Sequence, residues 1–269
     1  LFIADVAARK TVPVVAGAPL FPVWSPDSAR LLLHPGNQLL MVDLSDGIKV
    51  RAIAGGAIGF RTPAWSPDGE RIAYAEDAGN AKLHLITADR SGKAVKVEAD
   101  LDGPVAFLWS PTGSGLAFAT MASAGAPVYS GLNFLDLATG RVAPLTSGDL
   151  LAFFWSPEGR HLAYVLPNAT EGIYSWVVLE LAELRARRLV SHFPTRDMLT
   201  MWAFFDQYAY SHQVWSSDGS RLVFTGNLGL NGHARRRTGE PENQVLVADI
   251  AGGASAPVAD GTLAFWPRA

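Results

Sequence analysis

A tryptophan-led decapeptide is written five times into this chain of 269 residues. It reads WSPDSARLLL from Trp24, WSPDGERIAY from Trp65, WSPTGSGLAF from Trp109, WSPEGRHLAY from Trp155 and WSSDGSRLVF from Trp215. A further tryptophan, Trp266, ends the run TLAFW, and the successive intervals are 41, 44, 46, 60 and 51 residues. A period of this length, about 40–45 residues, fits one small antiparallel sheet stacked against copies of itself, because such a unit cannot bury its apolar face alone.

Each interval carries four strand signals in a fixed order, here called A to D. In the second unit they are Thr62–Trp65, Arg71–Ala75, Lys82–Ala88 and Ala94–Glu98, each short, rich in β-branched or aromatic residues, and bounded by Gly, Asp, Asn or Pro. Strand C recurs as QLLMVDL at 38–44, GLNFLDL at 131–137, WVVLEL at 176–181 and QVLVADI at 244–250. Its last turn carries an acidic residue throughout: Asp43, Asp89, Asp136, Glu180 and Asp249. Between A and B, the SPDG stretch is a tight turn: Pro pre-sets φ, Asp bonds its own backbone two residues on, and Gly takes the left-handed position. The Trp before it offers a large apolar body to the gap between neighbouring sheets, with one N–H to satisfy. Repeated Trp and Asp are therefore read as structure rather than chemistry.

These units predict a single all-β domain over residues 1–269: a six-bladed β-propeller of four-stranded antiparallel blades, with units beginning near Trp24, Trp65, Trp109, Trp155 and Trp215. The sixth blade is expected to be shared by residues 1–23 and 262–269. Leu1–Val6 reads as strand C, Val12–Ala16 as strand D and Thr262–Trp266 as strand A, so that N- and C-terminal strands pair and close the ring without an open sheet edge. A strand B for that blade is missing, which leads to the expectation that residues preceded Leu1.

Composition supplies exclusions. The chain is 49% hydrophobic and 17% charged, with net charge -3, so no global field draws it to nucleic acid or to an anionic membrane. No apolar run reaches the roughly 18 residues of a membrane-spanning helix. With no cysteine, disulfides, thiol catalysis and Cys-based zinc sites are ruled out. There is no G-x-S-x-G elbow, no HExxH spacing and no Gly-rich phosphate loop.

The W-S-P-D-G-x-x-[IL]-[AV]-[FY] units resemble the repeats of the TolB-like propeller family, also called WD40-like PD40 repeats. Trp24, Trp65, Trp109, Trp155 and Trp215, with Asp27, Asp68 and Asp218, match the motif position by position, whereas Thr112, Glu158 and Ser217 depart from it. Related repeats occur in binding proteins, in the propeller halves of prolyl-oligopeptidase-like peptidases and in polysaccharide lyases. The resemblance implies a periplasmic or cell-envelope binding protein.

Strand alternation puts A–B and C–D turns on one face and B–C and D–A loops on the other. The first set is uniform. The second grows, with Thr120–Ser130, Gly226–Asn243 and the insertion at 191–211, which marks it as the working face. Within the insertion, Thr195 is a helix cap and Arg196–Tyr208 a helix, with Met198, Met201, Trp202, Phe205 and Tyr208 on one side. One reading packs that side on the propeller; the other makes its aromatics a docking surface. The candidate partner-binding residues are Trp202, Phe205, Asp206, Tyr208, His212, His233, Arg235 and Arg236, the last three from the basic run HARRR. Asp206, Tyr208, Tyr210 and His212 also form a group with acid–base potential. Of the six histidines, His34, His192, His212 and His233 fall in or beside the long loops, while His84 and His161 do not. No catalytic residue, metal or cofactor is assigned, and Asn168 opens a glycosylation sequon.

The resulting expectation is a non-enzymatic binding or scaffold module that recognises a protein or peptide, or a saccharide, through its long-loop face, without nucleic acid and without a membrane span. Two alternatives stand beside it. One is a propeller enzyme, lyase or hydrolase, with a metal held near the pore by His212 and His233. The other is a subunit of a larger sensor or transport system.

Overall fold

The structure is a computed structural model that describes residues 1–17, 20–54, 56, 62–123, 125–168, 170–228, 243–252 and 255–267. Among these residues the Trp-led repeats fold as expected into antiparallel sheets. The first holds β3 (Leu20–Trp24), β4 (Arg30–Pro35), β5 (Leu39–Asp43) and β6 (Lys49–Ala54). The second holds β7 (Ala64–Trp65), β8 (Arg71–Gly79), β9 (Lys82–Asp89) and β10 (Lys96–Asp102). The third holds β11 (Val105–Trp109), β12 (Gly115–Thr120), β13 (Tyr129–Asp136) and β14 (Val142–Leu150). In each, neighbours along the chain are neighbours in the sheet.

Register repeats with sequence. The first residue of strand B faces the acidic end of strand C in Arg30↔Asp43, Arg71↔Asp89, His161↔Glu180 and Arg221↔Asp249. Those carboxylates cap the following turn: Asp43 accepts from the Ser45 amide at 2.9 Å, Asp89 from Ser91 at 2.8 Å and Asp136 from Thr139 at 2.8 Å. Hydrogen bonds from the turn hold all three carboxyls below the usual Asp range.

The fourth and fifth repeats depart from separate blades. β15 (Phe153–Trp155), β16 (His161–Asn168), β17 (Ile173–Glu180) and β18 (Arg185–Pro194) continue into β19 (Arg221–Leu228), β20 (Gln244–Asp249) and β21 (Ala256–Asp260) as one seven-stranded sheet. The seam pairs the overlong ends of β18 and β19 at His192↔Leu228, Phe193↔Asn227 and Pro194↔Gly226. The inner strand of the fifth repeat shrinks to a single bridge, Trp215↔Leu222.

The chain ends also differ from expectation. β1 (Phe2–Asp5) and β2 (Lys10–Pro13) form a two-stranded hairpin that packs its Leu1, Ile3, Val14 and Val15 on Leu31, Leu33 and Val42 of the first sheet. Residues 262–266, expected to pair with that hairpin, instead cross to the fifth repeat. Trp266 bridges Gln213, and the Thr262 carbonyl accepts from Thr195 and Thr225. Among the described residues no pairing joins β1 or β2 to residues 262–266. Thr195 and Thr225 supply buried hydroxyl donors that fix this segment where it lies.

Apolar clusters lie between successive sheets. Leu32, Leu39 and Met41 meet Trp65, Ile72 and Tyr74, and Ala64 and Leu85 meet Phe107, Trp109 and Leu116. The tryptophans also tie the sheets by polar bonds. Trp65 Nε1 donates to the Val23 carbonyl (3.3 Å), Trp109 to Ala64 (3.3 Å), Trp155 to Leu108 (3.3 Å) and Trp215 to Phe154 (3.1 Å). Every acceptor is the residue just before the preceding Trp. One side chain thus fills the gap and satisfies its N–H on the neighbouring inner strand. Trp24, which has no earlier repeat to reach, is 52% exposed.

The Ser-Pro turns stack in the same sense. Ser66 Oγ donates to Asp68 (2.5 Å) and accepts from the Arg71 amide (2.9 Å), and Asp68 accepts from the Glu70 amide (3.0 Å). Gly69, at φ +72°, lies where a Cβ would touch Pro26 of the preceding turn at 3.4 Å. Serving as the second turn's carboxylate, Asp68 is held below its ordinary value by those two bonds.

Candidate functional site: the insertion and the central channel

The insertion begins as predicted and then breaks. Thr195 Oγ1 caps α1 (Arg196–Ala203) by accepting from the Met198 amide at 3.2 Å, and Asp197 stands in the first turn. The expected single helix to Tyr208 stops at Ala203; Phe204, at φ −125° and ψ 31°, leads into a separate short helix, α2 (Phe205–Tyr208). Residues 191–194, counted with the insertion in the sequence, belong to β18.

The apolar face of these helices turns inward. Met198, Trp202 and Phe205 are fully buried and Met201 nearly so. Phe205 packs on Phe153 at 4.8 Å, Tyr129 at 5.7 Å and Phe154 at 5.8 Å between ring centres, and Trp202 on Trp176 at 5.6 Å. This puts Trp202 and Phe205 out of a partner's reach, correcting their expected role as contact residues: their spacing reported a core face. Asp206 is buried beside them. Of the proposed contact residues, Tyr208 and His212 stay accessible, and they meet each other at 4.9 Å. Phe265, not among the expected site residues, meets His212 edge-on at 4.3 Å between ring centres and is 40% exposed. Phe204 adds a half-exposed ring. His233, Arg235 and Arg236 lie outside the described residues.

The histidines scatter rather than converge. His84 bonds Asp100 at 2.6 Å, His161 bonds Glu158 at 3.1 Å, and His192 is enclosed by Trp202 and Phe224. Burial pushes the His192 imidazole down to about 3; its Nδ1 donates to the Tyr174 carbonyl at 3.2 Å. His212 is shifted down by partial burial, and its Nδ1 meets Ser211 Oγ at 2.7 Å. Among the described residues no group of three His, Asp or Glu side chains has metal-binding geometry. The Ser211–His212 contact joins sequence neighbours, and among the described residues no carboxylate bonds the other ring nitrogen to orient it as a base.

All five repeat tryptophans line one cavity of about 930 Å³ together with residues of the turns that follow them, and Gln207 and Tyr210 of the insertion and Gln213 just after it line it as well. Tyr210 reaches in far enough for its hydroxyl to accept from the Trp109 amide at 3.0 Å. The inner edges of five successive repeats, carried by four sheets, thus line one channel.

Solved structures share this arrangement. A protein assigned as TolB from Agrobacterium tumefaciens matches over 94% of this chain and 86% of its own, at 17% identity and a TM-score of 0.51. The fold is that of a TolB-like β-propeller. TolB from Acinetobacter baumannii matches 97% of the chain at 18% identity and a TM-score of 0.55, and this chain spans 60% of its length. An oligogalacturonate lyase in complex with manganese matches 96% of this chain and 70% of its own, at 16% identity and a TM-score of 0.64. No protein-family model and no curated protein matches the chain. The propeller fold is thus shared with both the TolB proteins and an oligogalacturonate lyase. No described helix is long and apolar enough to cross a membrane.

Proposed function

We propose that this TolB-like propeller is a non-enzymatic binding module of the cell envelope that docks a protein partner on its long-loop face. Six sectors, as counted from the repeats, are part of this proposal. The observation that carries it is the accessible aromatic contact of Tyr208, His212 and Phe265, with the half-exposed Phe204 nearby in sequence on the same insertion. Aromatic side chains with one polar tip and little rotamer freedom are favoured anchors in interfaces. His233, Arg235 and Arg236, which lie outside the described residues, are kept in this proposal as the candidate contacts read from the sequence.

The test is co-purification from native lysate with the wild type and with Tyr208→Ser/Phe265→Ser, a pair chosen because both rings are accessible. The expected result is a partner that is retained by the wild type and lost by an equally stable variant. Equal recovery on both would refute the patch. One equivalent of manganese or zinc in chelator-free protein, lost in His212→Ala, would replace the reading by the metal-dependent lyase or hydrolase.

A further inference from the structure

The cavity enclosed by the inner strands has a composition that its location does not require. Among the described residues not one Asp, Glu, Lys, Arg or His lines it, although the chain carries 22 Lys and Arg and 25 Asp and Glu. A charged ligand entering it would lose hydration without gaining an opposite charge, at a cost of several kcal/mol. Its volume of about 930 Å³ falls within the about 300–1,000 Å³ typical of pockets that enclose a whole small ligand.

Among the described residues the polar groups that face the cavity are uncharged, and one of them lacks a protein partner. Thr62 is only 6% exposed, and its Oγ1 has no hydrogen-bond partner among the described residues. A buried unpaired hydroxyl costs about 1–3 kcal/mol, so such groups are ordinarily met by water or ligand. The Tyr210 oxygen accepts from the Trp109 amide, which leaves its proton to donate; burial, with the Asp206 carboxylate nearby, raises its pKa and keeps that proton in place. Gln213 commits its Nε2 to the Ala209 carbonyl at 3.2 Å, leaving Oε1 to accept. Beside these groups lie aromatic rings of fixed orientation: Trp155 is tethered through its indole to Leu108, and Trp24 is half-exposed.

Part of the main chain along the inner strands is already committed. The inner-strand carbonyls of Val23, Ala64, Leu108 and Phe154 already take the indole N–H groups, and the Trp109 amide takes Tyr210. A peptide added as an extended strand needs free backbone partners, whereas a glycan needs only side chains. Aromatic faces with uncharged hydroxyl and amide groups match a sugar ring, which presents C–H faces and a rim of hydroxyls.

We propose that the central channel is a second site, separate from the aromatic patch, that binds a neutral oligosaccharide, with Thr62, Tyr210 and Gln213 hydrogen-bonding its hydroxyls and Trp24 and Trp155 stacking on its rings. The site is distinct from the protein-docking surface, so either stands if the other fails.

Titration calorimetry with maltotriose, cellotriose and triacetylchitotriose tests it, with trigalacturonate and a proline-rich decapeptide as controls. The expected result is binding of at least one neutral trisaccharide, weakened about tenfold by Thr62→Val and by Tyr210→Phe. Thr62→Val removes an unpaired hydroxyl without changing shape, so its melting temperature should hold or rise, and lost affinity cannot be ascribed to unfolding. That variant alone keeps the test decisive if Tyr210→Phe is unstable. No neutral trisaccharide binding at millimolar concentration, preference for trigalacturonate or the decapeptide, or affinity unchanged in Thr62→Val would each overturn the proposal. The Tyr208→Ser/Phe265→Ser variant should bind the trisaccharide as the wild type does.

Discussion

Replacing Trp215 by Phe measures what the tryptophan latch between sheets contributes. Trp215 is 1% exposed, and its indole N–H donates to the Phe154 carbonyl at 3.1 Å in a buried setting. Phenylalanine keeps an aromatic ring but has no donor. The Phe154 carbonyl keeps its place in the β15–β16 ladder, so the lost hydrogen bond should cost about 0.5–1.5 kcal/mol. Trimming an indole to a phenyl also leaves a void beside His161, now stacked at 6.2 Å, for a further loss of about 1–2 kcal/mol. The total is about 1.5–3.5 kcal/mol, a melting-temperature drop of order 5–10 °C for a domain of this size. Trp24→Phe is the control, since that ring is 52% exposed and its indole has no partner among the described residues; its effect should stay within about 0.5 kcal/mol. Urea unfolding followed by far-ultraviolet circular dichroism is the suitable assay, because tryptophan fluorescence changes with the substitution itself. Trp109→Phe should resemble Trp215→Phe, with the Arg71 guanidinium that lies 4.9 Å over its ring losing a stacking partner as well. Equal losses at Trp24 and Trp215, or a loss at Trp215 within the control's range, would refute the idea that these side chains hold the sheets together.

Three other perturbations probe the insertion and its seam. His192 is buried neutral with its pKa pushed down to about 3, so the unfolded chain binds a proton that the folded one refuses. Stability is then full above the unfolded value of about 6.5 and falls as acid is added, by about 2 kcal/mol between pH 6.5 and 5; urea midpoints across that window should fall less steeply in His192→Phe. Thr195→Ala removes the cap of α1 and the donor to the Thr262 carbonyl at 2.6 Å, and should lower stability by about 1–3 kcal/mol while hydrogen exchange quickens over residues 196–208. Gly226 sits at φ +148°, and a Cβ there would overlap the Phe193 carbonyl, so Gly226→Ala should part β18 from β19 and cost more than about 3 kcal/mol, read as a lowered melting temperature or as insoluble protein.

What the sequence made legible was whatever repeats. The decapeptide identifies inner strand, turn and second strand in every unit, and the unsatisfied N–H of its Trp anticipates a partner on the next sheet. Features that occur once were hidden. The β18–β19 seam depends on two strands overrunning their blades at Pro194 and Gly226, a proline and a glycine that read in sequence as strand ends. The break at Phe204 has no proline or glycine to announce it. Spacings of three and four in Met198, Met201, Trp202 and Phe205 correctly define a face, but periodicity gives no sign of whether that face meets the core or a partner. Here buried rings on neighbouring sheets, Phe153, Phe154 and Trp176, decide the matter. Thr62 was the least visible. A lone threonine just ahead of an inner strand forms no pattern, and it gains meaning only because sheets set tens of residues apart in sequence bring uncharged groups together around one channel. A motif repeated to build an architecture is therefore a good guide to the scaffold and a poor one to the site, since the site is made where the copies differ and where their inner edges meet.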